Sequence, residues 1–101
     1  MHVRIYIAED CPKCEAAKAL AVRLAEHREM ASVLTLVWTD TVLGRAEASA
    51  SDVLATPTVL LCDDIAGKEI ARWSGQCPTL KAIREAVPGE ASGAAVERAG
   101  G

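Results

Sequence analysis

Val3-Arg4-Ile5-Tyr6-Ile7-Ala8-Glu9-Asp10-Cys11-Pro12-Lys13-Cys14 is the stretch on which the reading of this chain turns. Its first half is apolar and rich in β-branched and aromatic residues, which predicts a strand over 3–8. Asp10 to Cys14 breaks that strand and opens a helix. Pro12 suits a first helical turn, where its missing N–H would be unpaired anyway. Beyond it, Ala17, Leu20, Ala21 and Leu24 recur at helical spacing and predict a helix to about Glu29. Two thiols at i and i+3 at a helix start share one face and can oxidise to a disulfide. The partial positive charge of the helix N-terminus favours thiolate over thiol. Residue type and spacing alone leave three uses open: a redox centre, half of a metal site, or two cysteines without chemistry.

Working outward, residues 33–38 form a near-continuous apolar run, the pattern of a buried strand. Residues 45–54, rich in Ala and Ser, read as a weaker helix. Thr56-Pro57 introduces a strand over 58–62, and Asp63-Asp64-Ile65-Ala66-Gly67 is a turn of hairpin length. A strand over 69–73 follows, with Ile70 and Arg72 alternating against Ala71 and Trp73. Ser74-Gly75-Gln76 ends it, and Cys77-Pro78 is expected to open a last helix carrying Leu80, Ile83 and Val87 on one face. The order is βαβαββα. The first βαβ unit makes its two strands parallel, and the short hairpin makes the last two antiparallel. The class is therefore α/β, a four-stranded mixed sheet with three helices. Residues 1–88 form the domain, and 89–101, with little apolar content, are expected to be disordered.

Composition narrows the function classes. The net charge of −3 gives no bulk attraction to nucleic acid or to an anionic membrane. No apolar stretch approaches the roughly 20 residues a bilayer requires. The N-terminus reads straight into a strand without an export signal, so the expectation is a cytoplasmic monomer. In a reducing compartment a CxxC is more often catalytic or metal-binding than a static disulfide.

Taken together, the CxxC between strand and helix, the segment Val53-Leu54-Ala55-Thr56-Pro57-Thr58-Val59-Leu60-Leu61, and Gly75 after the last strand resemble the thioredoxin-like superfamily. With no extra strand and helix ahead of residue 3, the layout is similar to the compact glutaredoxin form. Ala-Thr-Pro-Thr is closer to thioredoxin. The chain departs from both subfamilies. Glu9-Asp10 stand where thioredoxins carry a Trp, and residues 4–8 lack their buried carboxylate. Lys13 stands at the glutaredoxin Tyr, and Gly75-Gln76-Cys77-Pro78-Thr79 lacks the acid pair that holds glutathione.

The resemblance implies a thiol–disulfide oxidoreductase that reduces protein disulfides, with no cofactor beyond a redox-active Cys11–Cys14 disulfide. Cys11, ahead of the helix, is the expected attacker, and Cys14, inside the first turn, the expected resolver. Pro12, Lys13 and Asp10 tune the motif: Lys13 favours a thiolate at Cys11, and Asp10 with Glu9 opposes it. Thr56, Gly75 and Pro57, the last through a cis bond, would support an extended disulfide-containing protein substrate. Electrons would come from a thioredoxin reductase-type flavoprotein or from glutathione. The missing acid pair and the repulsion from Asp10 weigh against glutathione. The alternative is a redox-responsive or metal-binding interaction module on the same fold, without turnover.

Cys77 is the remaining candidate. Cys77-Pro78 repeats Cys11-Pro12, and the topology puts both at one end of the sheet. It is a possible third thiol, helped by helix-terminal N–H groups. Cys62 belongs at the far end, as an inert thiol. No metal site is expected, because only one cysteine pair is close and His2 and His27 lack ligand spacing. Trp38 and Trp73 are expected to flank the core, and Arg4, Lys68 and Arg72 to be solvated charges.

Overall fold

The computed structural model describes residues 1–27 and 33–87. Within them run β1 (His2–Ile7), α1 (Cys14–Glu26), β2 (Val33–Trp38), α2 (Val42–Ala50), β3 (Thr58–Asp63), β4 (Lys68–Ser74) and α3 (Leu80–Ala86). The order βαβαββα is the expected one. The strands make one sheet in the order β2-β1-β3-β4. β1 and β2 are parallel, and β3 is antiparallel to both of its neighbours. α1 ends at Glu26, with His27 as its C-cap, ahead of the expected Glu29. The expectation for residues 88–101 lies outside the described residues.

Strand alternation divides the interior in two. Val3, Ile5 and Ile7 of β1 join Val59 and Leu61 of β3 on one face. There they meet Cys14, Ala17, Leu20, Ala21 and Leu24 of α1 and Ile83 of α3 in one buried cluster. Tyr6, Val37 and Leu60 point to the other face and meet Ala48 of α2 and Val53. Two helices therefore cover the first face and one covers the second.

The strand ends fall within a residue of expectation, and three further helix boundaries differ by more. α2 begins at Val42 and not at Arg45, because Thr41 caps it: its hydroxyl accepts the Gly44 N–H (2.9 Å) and donates to the Trp38 carbonyl (2.8 Å). Gly44 lies so close to that carbonyl that an added Cβ would collide with it. α2 ends at Ala50, ahead of the expected Leu54, and Asp52 just beyond takes a left-handed φ of 56°. α3 begins at Leu80, after Cys77-Pro78, because the Thr79 hydroxyl accepts the Ala82 N–H (3.1 Å).

β4 departs from simple alternation. Its pairing with β3 slips between Leu61 and Cys62, so Leu61 faces Ala71 while Cys62 faces Glu69. Ile70 is the extra residue of a β-bulge, and it packs on the first-face cluster beside Ala71. Residues three apart on a regular strand face opposite ways. The bulge instead turns Glu69 toward Arg72, and the guanidinium bonds both carboxylate oxygens at 2.8 Å. Arg72 also donates to the Ser51 (2.7 Å) and Asp52 (3.0 Å) carbonyls, so it is a tie between β4 and the end of α2 and not a solvated charge.

Candidate functional site

Cys11 and Cys14 are joined by a disulfide, with Cα atoms 5.3 Å apart. The turn between them is closed by the Cys14 N–H donating to the Cys11 carbonyl (3.0 Å) and the Glu15 N–H to the Pro12 carbonyl (3.4 Å). Cys14 is the first residue of α1 and is fully buried in the first-face cluster. Cys11 precedes the helix, touches the same cluster and is only half-buried. Cys11 thus keeps some exposure to solvent and Cys14 has none. Pro12 and Lys13 are exposed, and no side chain caps α1. The helix's leading N–H groups are therefore left to solvent and to the turn. Lys18, one turn on, bonds Glu15 (3.2 Å) and lies 5.4 Å above the Trp38 ring.

Strand register supplies the rest of the site. Tyr6 pairs with Thr58, and Thr58 pairs with Ser74. The segment leading from β1 to Cys11, the Thr56-Pro57 segment and Gly75 therefore lie side by side at one end of the sheet. The Thr56–Pro57 peptide is cis, Pro57 is buried and Thr56 is half-buried. Gly75 has φ 73°, a left-handed conformation that glycine takes without steric cost. Beside Thr56 opens a groove of about 440 Å³ bounded by Thr39, Arg45, Leu54 and Ala55.

Two residues of this end were not anticipated. Thr58 is fully buried. Its hydroxyl donates to the Ala55 carbonyl (2.6 Å) and accepts the Gly75 N–H (3.4 Å), linking the two segments that flank Pro57. The signal was a polar residue directly after Thr-Pro in an otherwise apolar strand. Asp40 accepts the Glu9 N–H at 2.9 Å through Oδ2. Nothing local marks that contact, which spans 31 residues of sequence. Glu9 and Asp10 themselves are exposed.

Cys77 follows Gly75 by two residues and packs, half-buried, on the same cluster as Cys11. The helix-terminal N–H groups expected to aid it are not there: α3 starts three residues later, and the Thr79 hydroxyl takes the Ala82 N–H. The thiol instead donates to the Pro78 carbonyl (3.5 Å). Burial pushes its pKa up. Cys62 sits at the other end of β3, opposite His2, and burial raises its pKa too, against the opposing pull of Arg4. The His2 ring bonds the Thr35 hydroxyl (2.9 Å). Among the described residues no three His, Cys, Asp or Glu side chains gather into a metal-holding group. No helix among them is long and apolar enough to cross a membrane.

No family model and no curated protein matches the sequence. Solved structures do match the fold. Oxidised thioredoxin O2 from Arabidopsis thaliana superposes with a TM-score of 0.70 at 18% identity, over 85% of this chain and 73% of that one. A thioredoxin from Fasciola hepatica gives 0.66 at 26%, over 83% and 74%. One from Thermus thermophilus gives 0.64 at 24%, over 84% and 69%. The fold is thioredoxin-like, and it carries a CxxC disulfide where the first strand meets the first helix.

Proposed function

We propose that this chain is a thiol–disulfide oxidoreductase that reduces disulfides in proteins. The observation that carries the proposal is the unequal burial of the bonded pair: Cys14 is inaccessible while Cys11 is reachable. In the reduced protein the Cys11 thiolate attacks one sulfur of a substrate disulfide. A mixed disulfide forms, and the other substrate sulfur leaves as a thiolate. Cys14 then attacks the Cys11 sulfur, closes the Cys11–Cys14 bond and releases the second substrate thiol. Two electrons pass to the substrate, and no bound cofactor takes part. Cys14 attacks across a distance its own turn already holds short, so the mixed disulfide is resolved quickly.

The substrate would lie extended over Thr56 and Pro57, with Gly75 at its edge. In support, the β3 ladder begins only at Thr58, which leaves the backbone of Thr56 outside the sheet pairing. Regeneration needs an external dithiol. A thioredoxin reductase-type flavoprotein suits the fold, and glutathione suits it less, because the exposed Glu9 and Asp10 repel its carboxylates. A cytoplasmic, monomeric protein is the setting we assign.

The test is insulin reduction by dithiothreitol. Wild type should accelerate it, Cys11→Ser should abolish the acceleration, and Cys14→Ser should trap the mixed disulfide. Equal rates with wild type and Cys11→Ser would sink the proposal.

A further inference from the structure

Between Ile7 and Cys11 the loop buries no side chain, and its apolar contact with the core is made by Cys11 itself. Ala8 is half-buried, Glu9 and Asp10 are exposed, and Pro12 and Lys13 are exposed as well. An exchange centre nevertheless needs its attacking sulfur held in place, since small misplacements are costly. The hydrogen bonds that hold this approach come from the turn after β2. The Thr39 N–H donates to the Ile7 carbonyl at 2.8 Å. The Thr39 hydroxyl donates to the same oxygen at 3.1 Å. The Asp40 carboxylate accepts the Glu9 N–H at 2.9 Å. The turn is itself seated firmly, because Thr41 bonds the Trp38 carbonyl and Gly44 is pressed against it.

We propose that Asp40 is a positioning residue for Cys11, its carboxylate fixing the backbone at Glu9 two residues ahead of the attacking sulfur. A charge-assisted bond from a carboxylate to a backbone N–H is about twice as strong as a neutral one. The bond stands at the point where the loop leaves the sheet, so it selects one arrangement of residues 9–11 over others. In that arrangement Cys11 sits within bonding reach of Cys14. Without the bond the loop samples more conformations, and the bonded arrangement is a smaller fraction of them. This role rests on the exchange chemistry proposed above, but its test does not require turnover.

Asp40→Asn keeps an acceptor oxygen for the Glu9 N–H and removes the charge, whereas Asp40→Ala removes both. Each variant and wild type would be equilibrated with glutathione buffers, and the Cys11–Cys14 couple read by alkylation and mass spectrometry. Asp40→Ala should favour the reduced form about tenfold, the factor such a bond supports, or ~30 mV for a two-electron couple. Asp40→Asn, which offers a neutral acceptor, should recover about half of that shift. Amide exchange at Glu9 should quicken in Asp40→Ala and stay slow in Asp40→Asn. A merely structural Asp40 would lower the melting temperature of both redox forms equally and leave the couple untouched, which overturns the proposal. Equal shifts for the two variants would also overturn it, by assigning the effect to charge. Because the couple is read at equilibrium, these outcomes stand apart from any failure of insulin reduction.

Discussion

At the scale of single residues, the site is held by groups that touch no sulfur. Thr58 is the clearest. Its buried hydroxyl serves Ala55 and Gly75 at once. Valine has the same shape without the hydroxyl, so Thr58→Val leaves a carbonyl and an N–H without their partner. Ala55 is exposed and Gly75 half-buried, so the two lost bonds together cost about 1–3 kcal/mol. Thr58→Val should therefore lose about that much stability in urea unfolding, and insulin reduction should fall with it, while Thr58→Ser should keep both. A fully stable and active Thr58→Val would remove Thr58 from the site's framework. Cys77 is governed by burial, which raises its pKa. The thiolate is the reactive form, so at any pH below that raised value Cys77 has less of it than a free thiol. In the reduced protein, iodoacetamide should modify Cys11 first. The Cys77 rate should keep rising with pH beyond the point where an ordinary cysteine levels off. A Cys77 that reacts as fast as Cys11 at neutral pH would show that burial does not control it.

At the scale of elements, the departures from expectation have definite causes. The CxxC, Thr56-Pro57 and the strand–helix order were legible because each leaves a local mark: spacing, proline, alternation. The start of α2 was obscured by Gly44, a poor helix residue that is present for the close approach to Trp38. Thr41 and Thr79 are of the residue type that caps helices, and each does so in the structure. The bulge at Ile70 leaves no mark at all, because it is an outcome of pairing with β3. Gly44→Ala should force α2 away from Trp38 and cost about 1–3 kcal/mol as an overpacking change. It should also speed amide exchange at Glu9, since the same turn carries Asp40. Unchanged stability in Gly44→Ala would mean that α2 shifts freely. The bulge pair has a pH signature as well. The bond to Arg72 holds the Glu69 carboxyl below its usual range. Such a group stabilises the fold above the pKa it has when unfolded, and that contribution fades as pH falls through its lower folded value. The pair is partly exposed, so the contribution is small. Glu69→Gln should lower stability slightly at pH 7 and not at pH 2.

At the scale of the whole molecule, the redox pair sits at the edge of the main core, but its covalent bond carries little of the stability. The first-face cluster joins β1, β3, α1 and α3, and the second joins the sheet to α2 alone. That single helix leaves a groove of about 410 Å³ on the second face, between Arg4, Thr35, Val37, Leu43 and Glu47. The disulfide closes a loop between residues only three apart in sequence. In the chain-entropy view so short a loop restrains the unfolded chain by only about 2 kcal/mol. A Leu24→Ala change in the main core, by comparison, should cost about 2–5 kcal/mol. The bond can therefore open and close in each catalytic cycle without unfolding the domain that aims it. The expected result is a melting temperature for the reduced protein lower than that of the oxidised protein by no more than about 8–16 °C, given ~4–8 °C per kcal/mol for a domain near this size. The Cys11→Ser/Cys14→Ser double variant should melt with the reduced form. If reduction instead unfolds the domain at room temperature, the disulfide is a structural staple. A protein that unfolds on giving up its disulfide cannot hold Cys11 ready for a substrate, and the redox cycle proposed for it would have to be abandoned.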